Sequence, residues 1–209
     1  SSSFDEPMSP TNFSIKDAST YGSADIQAVK VDRSGIFVQR SGKRAYDLSY
    51  SVEANDYISN EISRYNPTVL NAGVKVMAVQ RNPDTRIWFC MDDGTAVVLV
   101  YEKSEDVIAW CDFTTDGTIE DIVVLPNDNS DDVFMIVNRT INGSTKRYRE
   151  RLAYDSEAEG GDNNYQADSF KVSTLAASTS VTGLSHLEAE TVVVWADGEP
   201  LLDADGDPQ

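Results

Sequence analysis

Apolar and polar side chains alternate with a period of two in the stretches IFVQ, AYDLSY, IWFCM, TAVVLVY, VFMIVNRT and KRYRERL. The runs are rich in β-branched and aromatic residues, and Gly42, the DDG of residues 92–94 and the NGS of residues 142–144 separate them in pairs. A two-residue period puts successive side chains on opposite faces, so each pair predicts a β-hairpin. Another β-like run precedes each hairpin: IQAVKV, VKVMAVQ and IEDIVVLP. The order strand, loop, hairpin therefore occurs three times, starting at Ile36, Ile87 and Val133, which lie 51 and 46 residues apart. Similar antiparallel units at such a spacing indicate a β-repeat array with propeller-like blades. In the second unit VKVMAVQ and strands at 87–91, 95–101 and 107–113 make a four-stranded meander. Three units do not close an ordinary propeller of about four to eight blades, so a partial or larger ring is expected.

Two stretches break the rhythm. NDYISNEISRY is the best helix candidate, with Asn55 or Asp56 as N-cap, an apolar stripe of Tyr57, Ile58, Ile62 and Tyr65, and Pro67 beyond its end. After Leu152, AYDSEAEGGDNNYQADS is polar and rich in Gly, Asn and Asp, as loops are. The short β-like segments FKVSTLAA, TSVTGLSHLEAE and TVVVWADGEPLL follow, with Asp197-Gly198 as a hairpin turn signal. The expected organisation is an extended segment over 1–24, three blade-like units over 25–153, a polar loop over 154–168 and a small β-rich module over 169–209. The fold class is mainly β, with one short helix near 55–65. The first residues, SSSFDEPMSP, and the last, LLDADGDPQ, read as cut edges of a longer chain.

Composition narrows the function classes. The 209 residues are 40% hydrophobic and 25% charged, ordinary globular usage, and no apolar run approaches the ~20 residues that cross a bilayer. No membrane insertion by this segment is expected. Seventeen basic against thirty-five acidic side chains give a net charge of -18. Tight nucleic-acid binding depends on Lys and Arg displacing condensed counterions, so this balance argues against it. The acidic surface serves solubility, and it also suits a wall past which DNA slides without sticking.

Candidate chemistry is sparse. Cys90 and Cys111 are too few for a disulfide scaffold and read as buried apolar fillers. The meander sets them two strands apart, about 9.6 Å at the ~4.8 Å strand spacing and beyond the ~7 Å limit for a bridge. The single histidine, His186, has no cysteine near it in sequence with which to build a zinc site, and no motif marks a serine for a triad. Acids are too abundant for any pair to stand out as catalytic. DADGD, with Asp203, Asp205 and Asp207, departs from the calcium-loop pattern and reads as a solvated tail. KRYRERL is the one locally basic stretch. As a strand it puts Arg147, Arg149 and Arg151 on one face and Tyr148, Glu150 and Leu152 on the other. That row serves to dock a neighbouring subunit's carboxylates or to touch phosphate, or it is an exposed face balanced by local acids.

Three stretches in order, GIFVQRSGKRAYDLSYSVEANDY, QRNPDTRIWFCMDDGTAVVLVYEKSEDVIAWCDFTTDGTIEDIVVLP, and VFMIVNRTINGSTKRYRERL with VTGLSHLEAETVVVWADG, resemble the tail nozzle or tail tubular protein B-like family of short-tailed bacteriophages. The resemblance covers about residues 25–200. It implies a virion structural protein, made in the bacterial host cytoplasm, that assembles as a ring of copies of itself, a hexamer in the full-length protein. The ring would sit among tail adaptor and tail fibre proteins and let double-stranded DNA through without specific binding. No catalytic residue, cofactor or metal is implied, so the expectation is that the protein is not an enzyme. Within this resemblance Trp88, Trp110 and Trp195 are core anchors of β units. The alternative is a carbohydrate- or receptor-binding β module of a phage or cell surface.

Overall fold

A computed structural model describes residues 9–11, 13, 17–157, 167–174, 176, 178, 180–196 and 199–201. The alternating runs become antiparallel strands in three consecutive sheets. The first holds β1 (Val29–Val31), β2 (Ser34–Val38), β3 (Ala45–Ser51) and β4 (Asp56–Glu61), side by side in chain order. The second repeats that order with β5 (Val74–Gln80), β6 (Arg86–Met91), β7 (Ala96–Glu102) and β8 (Val107–Phe113). The third is three-stranded, β9 (Thr118–Leu125), β10 (Asp132–Ile141) and β11 (Ser144–Arg151), with β10 in the middle. The protein is thus mainly β and built from antiparallel meanders. Local chemistry sets the tight turns: Asn142 and Gly143, at φ 48° and 71°, form the two-residue loop between the paired Ile141 and Ser144.

The second sheet is the middle layer. Ile87, Phe89 and Leu99 face the first sheet and pack with Ile36, Val38, Ala45 and Leu70. On the opposite face Trp88, Cys90, Ala96 and Val98 pack with Ile119, Ile122, Val133, Met135 and Val137 of the third sheet. This is why IWFCM and AVVLV read as near-continuous apolar runs: they are buried on both sides. Each fully buried large aliphatic or aromatic side chain contributes about 1.5–3 kcal/mol, so the two interlayer cores dominate stability. Loops clasp the layers at one end. The Asp131 carboxylate accepts the backbone N–H of Arg81 at 2.7 Å and of Asn82 at 3.2 Å, and the Arg81 guanidinium donates to the Lys30 carbonyl.

Three expectations are corrected. The segment expected as a helix near 55–65 is instead strand β4 followed by a single 3-10 turn, Ser63–Tyr65. The edge of β3 offers it a complete ladder, from Tyr46 opposite Glu61 to Ser51 opposite Asp56, and Asn55 at φ 48° makes the turn rather than a cap. Ile62 is buried, but Tyr57 and Tyr65 are exposed, so the supposed stripe has no face to bury against. Cys111 is exposed rather than buried, because β9 packs over β5 and β6 and leaves the β8 side uncovered. Trp195 is 37% exposed and anchors no core among the described residues. It lies in a ladder of two residues a strand, Trp195–Ala196 with Glu199–Pro200, too small to supply a second layer. The β-rich module expected after residue 169 has that ladder as its strand content among the described residues. The DADGD tail lies outside the described residues.

Candidate functional site

The arginine row lies where period-2 alternation puts it. Register pairs Arg151 with Phe134, Arg149 with Ile136 and Arg147 with Asn138, on the face of the third sheet turned away from the core. Phe134 in turn pairs with Val123, which like Leu125 is half exposed. The open face therefore combines a row of guanidinium groups with a strip of apolar side chains.

The three arginines are held differently. Arg147 is 71% exposed and donates from Nε to Glu120 Oε2 at 2.5 Å, holding that carboxyl below its usual range. Arg149 lies 5.5 Å from the centroid of the Phe134 ring, a cation–π arrangement. Arg151 donates from Nη2 to both oxygens of Glu157 and stacks 4.3 Å from the Tyr154 ring centroid. Tyr154 itself donates to Asp132, a hydrogen bond that pushes the phenol pKa up. Local acids thus engage Arg147 and Arg151, and aromatic rings of the same chain engage Arg149 and Arg151.

Sequence reasoning missed a stronger charged centre on the inner face of the same sheet. Arg139, 9% exposed, uses all five donors: Nε and Nη2 to Glu150 at 2.5 and 2.7 Å, Nη2 to Thr115 Oγ1, and Nη1 to the Asp116 carbonyl and Asp168 Oδ2, each at 2.6 Å. Burial pushes the Asp168 pKa up, but hydrogen bonds from Thr115 and Arg139 outweigh it and hold the carboxyl below its ordinary value. Burial opposes the charge of Arg139 too, and the Glu150 hydrogen bond overcomes it and raises the pKa. The network ties residue 168 back onto the third sheet. One signal for it was legible: Arg139 continues the core-facing series Val133, Met135, Val137, where a charge requires buried partners.

A second buried polar group joins the first two sheets. Tyr101 donates to Asp47 Oδ2 at 2.5 Å, and Lys103 Nζ reaches the same oxygen at 2.5 Å and Ser34 Oγ at 2.9 Å. Burial first, then the bond to Asp47, drives the Tyr101 phenol pKa far up, so it stays a proton donor.

The tryptophans take different places. Trp88 is buried, donating to Gln80 Oε1 at 3.1 Å, and Trp110 is half-buried against the first interlayer core, donating to the Ile62 carbonyl at 3.2 Å. His186 lies in the 3-10 turn Ser185–Leu187, partly exposed. Tyr65, 74% exposed, stands between two shallow depressions, one lined by Asn60, Glu61 and Arg64, the other by Lys103, Asp106 and Ile108. Among the described residues, no group of three or more His, Cys, Asp or Glu side chains is placed to hold a metal ion, and no helix is long and apolar enough to cross a membrane.

No protein-family model matches the sequence. No curated protein matches it either.

Proposed function

We propose that the chain is a non-enzymatic structural component of a short-tailed bacteriophage tail, of the nozzle or tail-tube kind, whose copies form a ring around the DNA-ejection channel. The observation that carries this reading is the layered architecture. Three sheets stack in chain order, buried polar groups clamp the layers, and the outer side of the third sheet stays open with Arg147, Arg149 and Arg151 across it. Such a body transmits load and offers flat faces to neighbours. The net charge of -18 supports a channel wall that repels the phosphate backbone while DNA moves past. Tail adaptor and tail fibre proteins are the expected neighbours in the virion. Immunogold labelling of phage tails with negative-stain imaging of the full-length protein tests the proposal. Closed rings, and label at the tail tip, are expected; a strictly monomeric full-length protein absent from virions would overturn it.

Tyr65 favours a second reading, a carbohydrate-binding module. An exposed ring beside depressions lined by amide, carboxylate and cationic side chains is the chemistry that stacks on a sugar face and hydrogen-bonds its hydroxyls. Glycan-array binding abolished by Tyr65→Ala would establish it. An array without signal removes it.

A further inference from the structure

We infer that copies of this chain contact one another head to tail, the outer face of the first sheet in one copy covering the outer face of the third sheet in the next. The inference deepens the ring reading, from which it takes only that copies touch.

The first sheet's outer face is aromatic. Strand register aligns Phe37 with Tyr46 and Tyr50 with Tyr57, and Tyr21 stacks on Tyr46 with ring centroids 4.4 Å apart. Tyr50 and Tyr57 meet edge to face at 5.4 Å. Tyr21, Tyr50 and Tyr57 are 45%, 50% and 54% exposed, so about half of each ring surface awaits a neighbour. The third sheet's outer face carries the complement: Val123 and Leu125 for the apolar parts of the rings, and for their π faces the exposed guanidinium of Arg147, beside Arg149 and Arg151, which already lie on the Phe134 and Tyr154 rings.

Three arguments favour a second copy as the occupant. Tyr, Phe and Arg are enriched, and Asp and Glu depleted, at the centres of protein interfaces. Here Phe37, Tyr50 and Tyr57 on one face and Phe134 with three arginines on the other supply the enriched types, beside the acids Glu61 on the first and Asp121 and Asp132 on the third. Next, the two faces differ in chemistry, so a contact between them is heterologous; such contacts close into rings or extend as filaments. Last, the faces lie on opposite sides of the middle sheet, so one copy engages two neighbours at once. Sheet-on-sheet burial occurs twice within the chain, and the inferred contact is a third instance between chains.

Size sets the expected strength. Three strands at ~4.8 Å spacing and eight residues at ~3.3 Å rise span roughly 14 Å by 26 Å. That footprint is well below the ~800 Å² a partner of a standard interface. A single contact is therefore weak, and closure of a ring supplies the avidity.

Two variants, each blank on one face, test the pairing by sedimentation velocity over a concentration series. Tyr50→Ser/Tyr57→Ser blanks the first sheet and Val123→Glu/Arg149→Glu the third; Tyr57→Lys and Arg149→Glu alone are milder substitutes if either double variant loses its β circular-dichroism spectrum. At the top of the series, about 1 mM, where a weak single contact is populated, the native chain should associate beyond dimers, each variant alone should stay monomeric, and an equimolar mixture should form dimers and nothing larger. A native chain monomeric throughout the series, a mixture that stays monomeric, or a variant that self-associates like the native chain overturns the inference. Full-length rings that survive both sets of substitutions sink the face pairing and leave the ring reading standing. Mixed dimers from a protein absent from virions do the reverse.

Discussion

Arg139→Met is the sharpest perturbation of this fold, because it keeps side-chain length and apolar bulk while deleting one charge and five hydrogen-bond donors. Breaking a buried ion pair costs about 3–5 kcal/mol when the partner charge stays buried. Arg139 is 11% exposed at its side chain, but Glu150 and Asp168 are 33% and 38% exposed, so water resolvates them in part. The expected loss therefore falls to about 3 kcal/mol, near the low end. Arg139→Lys keeps the charge and loses the bidentate fork to Glu150, for an expected loss of about 1–2 kcal/mol. Urea unfolding at neutral pH, followed by tryptophan fluorescence, reads both values. The pH dependence adds a sign. Because the folded-state pKa of Asp168 is depressed, its stabilising contribution is present above the unfolded value near 4 and lost as pH falls through the lower folded value. In Arg139→Met the carboxylate keeps the burial penalty without the compensating charge, so protonation relieves it. The stability gap between native and variant should narrow as pH falls from about 5 towards 3. A gap below ~1 kcal/mol at neutral pH, or one that widens on acidification, would refute the account.

Three further outcomes are expected. Tyr101→Phe removes the buried donor to Asp47 and should cost about 2 kcal/mol in the same urea assay; a loss under ~0.5 kcal/mol would mean that Lys103 alone satisfies that carboxylate. Gly94→Ala puts a Cβ at φ +86° and 2.3 Å from Thr118 Cγ2, so a loss of about 2–3 kcal/mol is expected, with Thr118→Ser restoring part of it. Retention of native stability would show that the turn is misplaced. In thiol titration of the native protein Cys111 should react at once, and Cys111→Ser should abolish that phase. Cys90, its pKa pushed up to about 11 chiefly by burial, should react only on unfolding; two fast thiols would contradict the packing of the third sheet over the second.

Strands were legible wherever both alternation and burial wrote the pattern. Ile87, Phe89 and Trp88, Cys90 are apolar on both faces because sheets cover both sides of β6, while Val133, Met135 and Val137 alternate with outward residues because one side of β10 is open. The edge strand β4 had neither mark. None of its six residues is buried, so Tyr57, Ile58, Ile62 and Tyr65 fitted a helical spacing as well as any other. Backbone pairing to β3 decided the matter, and pairing leaves no trace in side-chain hydrophobicity when the strand faces water. The misplacement of Cys111 has a related origin. The alternation of β8 identifies a face but not how far the covering sheet extends, and β9 stops short over β5 and β6.

The charged sites divide along the same line. Arg139 announced itself by position, a cation in a core-facing series, whereas its partner Asp168 is one acid among thirty-five and lies 29 residues away, so only the folded chain selects it. The outer row of Arg147, Arg149 and Arg151 was legible because alternation alone determines a shared face once the strand is granted. The aromatic row on the first sheet was not, since Tyr57 joins Tyr50 only through the β3–β4 register that the helical reading denied. One misread edge strand therefore concealed half of the pair of faces. Correcting it shows, among the described residues, a layered body in which the middle sheet is covered on both sides and the outer two, apart from Tyr21 over Tyr46, on one side each. By the same burial argument, the two remaining faces are where the next layers belong.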